Sequence, residues 1–481
     1  MLFVSYQFFL FFIFVYLTYW TIPTKFRLFF LLVTSLVFYG SWSFAFLVHF
    51  LFILILNYYL WNLYRITGNQ ILFVSIQCFN LLNLAFFKYF YFLADLISIL
   101  LRNPAWMEKQ LRQSHSELGY EILLPLAISF YTFQIMSYGF DLKNKIYVKK
   151  HSLAEFLLFV SFFPQLIAGP IVRSQDLLPQ MQLLKEGILP IPNFSQIKAG
   201  LWLLVSGVIK KIFIANQLLL NIQPLLLPES PSVFEIPPIS FWILSLSFLV
   251  MLYADFSGYS DIARGLGKLL GFELPINFKA PFFFSSFSDL WKRWHLTFSS
   301  WIRDYIFIPL GGSRVSEPRL WFNLCFTFFL GGLWHGAKIP FAIWGLSMGL
   351  FLSIEVFLSK RGLVTWNGFP SKIFKRLFIW ILYLSSGIFF FAPDWQWGKH
   401  ALIRMFLFNE NYFSGAEFVK YSGFLLAIIV TFLFQIIEEY PKMLDRFKKE
   451  EAWLLPVTIV IISIGLTQIQ TGNQDFFYFQ F

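Results

Sequence analysis

Residues 43–63 read SFAFLVHFLFILILNYYLWNL and contain no aspartate, glutamate, lysine or arginine. A run of about 20 predominantly apolar residues is the length at which an α-helix crosses the hydrocarbon core of a bilayer. Ordinary soluble domains do not contain such runs. Residues 43–63 therefore predict a membrane-spanning helix.

Apolar runs of the same kind recur almost from end to end. Of the 481 residues, 58% are hydrophobic and 13% are charged, whereas soluble domains carry about 25% charged residues. We therefore expect an all-α integral membrane protein in which about ten to twelve transmembrane helices form a single membrane domain, residues 1–481. The candidate spans are residues 2–20, 28–40, 43–63, 71–101, 120–140, 154–170, 198–222, 236–255, 319–334, 338–358, 374–392, 420–438 and 452–467.

The excess of basic residues indicates which loops face the cytoplasm. A net charge of +11 would suggest nucleic acid as a partner of a soluble protein, but in a membrane protein excess Lys and Arg mark cytoplasmic loops. Basic residues follow the first span and cluster again at residues 143–150 and 360–376, which places the N-terminus outside. Strict alternation of the candidate spans would put the basic loop 360–376 on the outer side, contrary to its charge. We therefore expect a re-entrant span or a missed crossing, most simply between residues 255 and 336.

One stretch departs from the apolar pattern. From Asp255 to Gly336 the chain stays rich in aromatic residues but also gathers polar and charged ones. Polar or irregular backbone at membrane depth persists only where it is buried in protein or lines a water-filled cavity. The functional site is therefore expected in this stretch. Cys78 and Cys325 lie in apolar runs, which excludes a disulfide framework or a Cys-rich metal site.

Two of the six histidines fall in this stretch. His335 ends an apolar run in the sequence GGLWHG, and an ionisable residue within a span favours a function because its burial is unfavourable. The alternative is a histidine hydrogen-bonded between helices. His295 ends the segment WKRWH, residues 291–295, for which the alternative is a membrane-surface helix without chemistry.

Other ionisable residues have simpler explanations. Asp255 and Asp261 do not form a cluster with metal-ligand spacing, and Arg264 lies one helical turn from Asp261, so a buried ion pair is the simpler account. His115 and His151 lie in polar loops and are expected to be solvated. The sequence contains no phosphate-binding loop, dinucleotide fingerprint or G-x-S-x-G nucleophile motif.

Several long motifs occur in order over nearly the whole chain. They are LPLAISFYTFQ (124–134), FPQLIAGPI (163–171), DFSGYS (255–260), WKRWH (291–295), residues 301–312, GGLWHG (331–336) and the C-terminal FYFQF (477–481). Together they resemble the membrane-bound O-acyltransferase (MBOAT) family, specifically its bacterial alginate O-acetyltransferase, AlgI-like branch. The resemblance implies a multi-pass protein of the bacterial cytoplasmic (inner) membrane, in which a ring of helices surrounds a thinned central core with a tunnel.

The resemblance also implies a reaction and its residues. The enzyme would move an acyl group, most simply acetyl, from a cytosolic thioester such as acetyl-CoA to a hydroxyl of an exported polysaccharide or of a partner protein, with no bound cofactor or metal. His335 would be the catalytic base and His295 the supporting catalytic residue. The expected substrate-binding residues are Trp334 and Asn277 as oxyanion donors, Lys292, Arg293 and Arg303 for the phosphates of coenzyme A or a carrier, and Asp255.

Two other functions stay open. A related branch transfers D-alanyl groups to teichoic acid, and the sequence does not decide the acyl group or the acceptor. A transporter or flippase would also place polar residues in a membrane, although the WHG motif and the lack of an internal repeat disfavour it. Because no outer-face domain is large enough to hold a glycan, we expect an extracytoplasmic SGNH-type acyltransferase partner and an exopolysaccharide acceptor, and no nucleic acid.

Overall fold

The computed structural model describes residues 3–102, 108–117, 122–146, 149–167, 169–219, 222, 236–362, 369–407 and 415–439. All regular elements in these ranges are helical, which confirms the all-α prediction. The expected span at residues 452–467 and the C-terminal motif at residues 477–481 lie outside the described residues.

The described part of the chain contains a series of helices. In chain order they are α1 (Tyr6–Thr21), α2 (Thr24–Gly40), α3 (Phe44–Thr67), α4 (Gln70–Leu101), α5 (Glu108–Glu117), α6 (Ile128–Lys143), α7 (Leu153–Ser161), α8 (Phe163–Leu166), α9 (Ser174–Lys185), α10 (Phe194–Val208), a π-helix (Ile209–Asn216), α11 (Pro238–Leu269), a 3₁₀ turn (Pro281–Phe283), α12 (Phe287–Leu290), α13 (Leu296–Ile302), a second π-helix (Arg303–Phe307), α14 (Glu317–His335), α15 (Ile339–Lys360), α16 (Phe369–Phe391), α17 (Trp395–Met405) and α18 (Gly415–Glu439).

Five of these helices are long and apolar enough to cross a membrane within the described part of the chain: α3, α4, α11, α15 and α16. The expected ten to twelve crossings are therefore not confirmed. Some predicted spans are shorter or more broken than their hydropathy indicated. Residues 154–170 give the nine-residue α7, after which the backbone turns at Phe162 (φ −51°, ψ 106°) into α8. The predicted span 236–255 is instead part of the 32-residue α11.

The chain divides into two compact units, each with its own contacts. The first comprises Met1–Gly200 and Ala263–Pro275. Helix α2 packs against α7 and α9 in this unit, and α4 packs against α6. Buried polar groups pair with one another; for example, Asn57 Nδ2 donates to Asn80 Oδ1 at 3.0 Å. Such pairing is expected because an unpaired amide in an apolar interior is strongly unfavourable.

One prediction about the histidines of the first unit is wrong. His151 is buried, with 4% of its surface exposed, so the expectation that it is solvated was wrong. His115 lies on α5, with its Nδ1 3.0 Å from the Tyr91 hydroxyl. Both residues lie in polar stretches of sequence, and local polarity does not report which other segments cover them.

The second unit comprises Leu201–Ile262 and Ile276–Phe481. Its helices α14 and α15 form a hairpin, and Gly332 and Gly345, where the two backbones approach, are called the glycine seam. A Cβ atom on Gly332 would lie 2.2 Å from the Phe341 carbonyl oxygen, and one on Gly345 would lie 2.3 Å from the Phe328 carbonyl oxygen. Only glycine permits backbones to approach this closely. The seam fixes the end of α14, where the GGLWHG motif lies.

Candidate active site

His335 is the last residue of α14 and is buried, with 4% of its surface exposed. Aromatic rings surround its imidazole. The ring centroids nearest to that of His335 belong to Trp334 at 5.0 Å, Phe390 at 5.0 Å, Trp344 at 5.4 Å and Phe298 at 5.6 Å. A neutral imidazole among these rings can accept a proton.

Gly336 explains why a glycine follows the histidine. Its backbone is extended (φ −161°), which ends α14 directly after His335. A Cβ atom at this position would lie 2.1 Å from the ring of Phe341. The WHG sequence therefore lets an aromatic ring of α15 close against the backbone beside the histidine.

A cavity opens beside His335. It encloses about 430 Å³ of empty space, its open mouth included. Helices α11, α15 and α16 supply most of the wall, and the lining is predominantly apolar. The lining residues are Ser245, Phe248, Leu249, Leu252, Trp294, His335, Trp344, Tyr383, Leu384, Gly387 and Phe390. An apolar cavity with one histidine in its wall can hold a small acyl group against a proton acceptor.

His295 occupies the N-cap of α13 with a left-handed backbone (φ 44°), which is uncommon for a residue with a side chain. Only 1% of its surface is exposed. Its Nδ1 lies 3.0 Å from Asn277 Oδ1. Burial lowers the pKa of His295, which lies outside the five candidate spans, to about 3. The imidazole is therefore neutral at physiological pH.

Asn277 joins three elements around His295. Its Nδ2 donates to Ser260 Oγ of α11 at 3.1 Å, and its Oδ1 accepts from Thr297 Oγ1 of α13 at 3.0 Å. The Leu296 backbone N–H donates to the Asn277 carbonyl at 2.8 Å. Asn277 was predicted as an oxyanion donor; in the structure its side chain contacts His295, Ser260 and Thr297.

The two histidines share aromatic neighbours. Phe298 and Trp334 are stacked with ring centroids 4.4 Å apart. His295 contacts both rings, at 5.0 and 6.0 Å, and His335 contacts the same two. The structure thus brings together four residues named from the sequence: His335, His295, Trp334 and Asn277.

Asp255 is engaged in an ion pair. Lys211 Nζ lies 2.6 Å from Asp255 Oδ1, and each side chain is 1% exposed. Asp261, for which Arg264 was the expected partner, lies 2.8 Å from Lys210 Nζ. Sequence reasoning missed both lysines, although two adjacent lysines in an apolar run are a signal of buried charge. They lie on the π-helix Ile209–Asn216, a geometry that often accompanies functional sites.

The three basic residues expected to hold phosphates lie apart from the cavity wall described above. Lys292 is exposed. The Arg293 guanidinium binds Asp289 at 3.0 Å and Glu439 at 2.8 Å. Arg303 is 61% exposed and binds the neighbouring Asp304 at 2.7 Å.

Helix α18 holds the segment that leads to His295. Glu438 Oε2 accepts a hydrogen bond from the Ala280 backbone N–H at 3.2 Å, and Gln435 Oε1 accepts one from the Phe282 N–H at 2.7 Å. These two side chains satisfy backbone donors that a buried, irregular segment would otherwise leave unpaired. Neither residue was singled out from the sequence. The described residues contain no group of three or more His, Cys, Asp or Glu side chains that could hold a metal ion.

The matches to known proteins agree on one family. A sequence model of MBOAT, the membrane-bound O-acyltransferase family, matches residues 42–392. The probable alginate O-acetylase AlgI of Pseudomonas aeruginosa is 32% identical, over 84% of this chain and 75% of that protein. The peptidoglycan O-acetyltransferase of Helicobacter pylori is 35% identical, over 68% of this chain and 63% of that protein. The teichoic acid D-alanyltransferase of Streptococcus thermophilus is 27% identical, over 49% of this chain and 58% of that protein.

The family match runs without a break from residue 42 to residue 392 and therefore includes both histidines. With the apolar helices, it confirms the prediction of a membrane-bound O-acyltransferase. The chain belongs to the membrane-bound O-acyltransferase family.

Proposed function

We propose that this O-acyltransferase moves an acetyl group from a cytosolic acyl thioester, such as acetyl-CoA, to a hydroxyl of an exported polysaccharide or of a partner protein. The observation that carries the proposal is the position of His335 in the wall of an apolar cavity. The relatives named for O-acetylation of alginate and peptidoglycan support the acyl group and the type of acceptor.

The chemistry requires a base because a neutral hydroxyl is a poor nucleophile. His335 takes the hydroxyl proton while the oxygen attacks the thioester carbonyl carbon. The tetrahedral intermediate then expels the thiolate, and the imidazolium returns the proton to the sulfur. An ester forms, a thioester is broken, and His335 is neutral again.

The remaining site residues have supporting roles. His295 positions a reacting group close to the shared rings of Phe298 and Trp334. Lys292, Arg293 and Arg303 attract the phosphates of the donor at the surface, where Lys292 and Arg303 are exposed. Asp255 acts through its ion pair with Lys211, which fixes α11 beside the site.

The architecture we propose is a single membrane domain over residues 1–481, with a ring of helices, a thinned core and a tunnel that joins the two faces of the bacterial inner membrane. The basic segments at residues 143–150 and 360–376 face the cytoplasm, where the thioester donor is made. An extracytoplasmic SGNH-type acyltransferase receives the acyl group or delivers it to the exopolysaccharide. The relatives' names support a cell-envelope acceptor.

The test is transfer by the purified protein in liposomes. Acetyl-CoA labelled in the acetyl group, supplied on the side of the basic loops, should lose its label to a hydroxyl acceptor on the other side. D-alanyl thioester of a carrier protein, tested in parallel, should give little transfer. Transfer of D-alanine but not acetate would replace acetylation by D-alanylation, and absence of any acyl transfer would contradict the proposed function.

The need for a partner is tested in the same liposomes. Without an SGNH-type partner, the glycan alone should gain little acetate, and addition of the partner should increase the yield. Efficient acetylation of the glycan by the isolated protein would show that the cavity admits the glycan directly.

A further inference from the structure

The hydrogen bonds around Asn277 determine which of its two amide atoms is the oxygen. A backbone N–H can only donate, and the Thr297 N–H lies 3.4 Å from the atom assigned as Asn277 Oδ1. The same atom accepts from the Thr297 hydroxyl at 3.0 Å. On the other side, the Ser260 hydroxyl oxygen can accept from Asn277 Nδ2 at 3.1 Å. The amide orientation is therefore fixed by its neighbours.

This orientation determines the tautomer of His295. An amide oxygen has no proton to give, so the 3.0 Å contact between Asn277 Oδ1 and His295 Nδ1 requires the proton on Nδ1. In a neutral ring the lone pair then lies on Nε2. Among the described residues His295 Nε2 has no hydrogen-bond partner, although it is fully buried. A buried acceptor that no protein donor satisfies can accept from an ordered water or from a ligand.

The rings around His295 keep it neutral. Its imidazole contacts Phe256 edge-on at 4.5 Å and lies near Phe298 at 5.0 Å and Trp334 at 6.0 Å. The titratable groups on the adjoining elements include four residues of α11, of which Asp255 and Asp261 pair with Lys211 and Lys210. The other two on α11 are Tyr253 and Tyr259. The segment before α13 adds Lys279, Asp289, Lys292 and Arg293, and α14 adds His335.

We propose that Asn277 is a positioning residue that fixes His295 as the Nδ1–H tautomer, so that Nε2 accepts a hydrogen bond from a second hydroxyl of the acyl acceptor, beside the hydroxyl that loses its only hydrogen to His335. This inference rests on the proposed function. It assigns His295 to the hydroxyl rather than to the developing oxyanion, because an oxyanion needs a donor and a neutral Nε2 has none. His335 remains the group that takes the proton.

The test compares two replacements of Asn277 in the liposome assay. Asn277→Leu removes the acceptor at Nδ1 and should lower kcat/KM for the hydroxyl acceptor about 10- to 100-fold, the loss typical of an orienting partner. Asn277→Asp retains the acceptor but adds a negative charge that stabilises the imidazolium. Its kcat/KM should fall more steeply on the acid side than that of the wild type, because the carboxylate raises the pKa of His295 and a protonated Nε2 can no longer accept.

The control is Asn80→Leu in the first unit, which also removes a buried asparagine from a buried amide pair. It should lower stability without moving the pH profile. If Asn277→Asp keeps the wild-type profile, or Asn277→Leu keeps wild-type activity, the positioning role is wrong. Failure of the proposed function would look different, because the wild-type protein itself would then transfer no acyl group.

A spectroscopic measurement covers the case in which the variants do not fold. The wild-type protein labelled with ¹⁵N-histidine, with the His295 signals assigned by their loss in His295→Gln, should show a protonated Nδ1 and an unprotonated Nε2. A proton on Nε2 of His295 would overturn the proposal.

Discussion

Helices α4 and α11 have the same length, 32 residues, and nearly the same mean hydropathy, but they lie in different surroundings. In its most apolar window, 22% of α4 is buried by protein, compared with 78% of α11. Helix α4 contains no glycine. On α11, a Cβ atom at Gly258 would lie 2.8 Å from the Gly207 carbonyl oxygen. Hydropathy thus indicates how apolar a helix is. Glycines in close backbone contacts and buried charges indicate that a helix such as α11 is surrounded by protein.

Breaking the buried ion pair on α11 should have the largest effect on stability. Lys211→Met removes the cation beside the buried Asp255 carboxylate and should lower the free energy of unfolding by about 3–5 kcal/mol. Removing both charges, in Lys211→Met combined with Asp255→Leu, should restore most of it. Thermal unfolding in detergent measures both variants. If Lys211→Met alone were as stable as the wild type, the ion pair would not be isolated from solvent.

A matched leucine substitution on the two helices sharpens the comparison. Leu244 on α11 is 3% exposed, and Leu82 on α4 is 69% exposed. Leu244→Ala should lower the free energy of unfolding by about 2–5 kcal/mol because it leaves a cavity. Leu82→Ala should change it by less than about 0.5 kcal/mol, because lipid or detergent fills the space. Equal losses in the same unfolding assay would contradict the difference in burial between α4 and α11.

Two adjacent glycines should give the smallest difference that is still measurable. A Cβ atom on Gly332 would clash with the backbone of α15, whereas one on Gly331 would make ordinary van der Waals contacts with Phe298 at 3.7 Å and Ile302 at 3.9 Å. Gly332→Ala should destabilise the protein by about 1–3 kcal/mol through overpacking. Gly331→Ala should stay within about 0.5 kcal/mol of the wild type. If Gly331→Ala were more destabilising than Gly332→Ala, the close approach of α14 and α15 at Gly332 would be contradicted.

Much of this arrangement could be predicted from local sequence. Long apolar runs predicted an all-α membrane protein, and the polar stretch from Asp255 to Gly336 contains His295, Asn277 and His335. Both kinds of signal are local, since they depend on composition and on motifs within a few residues. The family resemblance added the catalytic role of His335, which remains a proposal.

Contacts between distant segments could not be predicted. Asn277 lies 18 residues before His295, in a loop without periodicity, so nothing in its spacing indicated that it orients the imidazole. Glu438 is 158 residues from Ala280, whose N–H it binds. The expected number of spans is not confirmed for a related reason, because hydropathy does not register the backbone turn at Phe162 that ends α7.

One measurement tests the central claim most directly: the rate of acetyl transfer in liposomes by His335→Ala and by His49→Ala. Both residues are histidines in apolar surroundings, but His49 lies on α3 of the first unit, bonds Asn83 at 3.0 Å and does not line the cavity. His335→Ala should lower the rate about 10²- to 10⁴-fold, the loss expected for a general base, with normal membrane insertion. His49→Ala should stay close to the wild type. Substantial transfer by a correctly inserted His335→Ala protein would contradict the account.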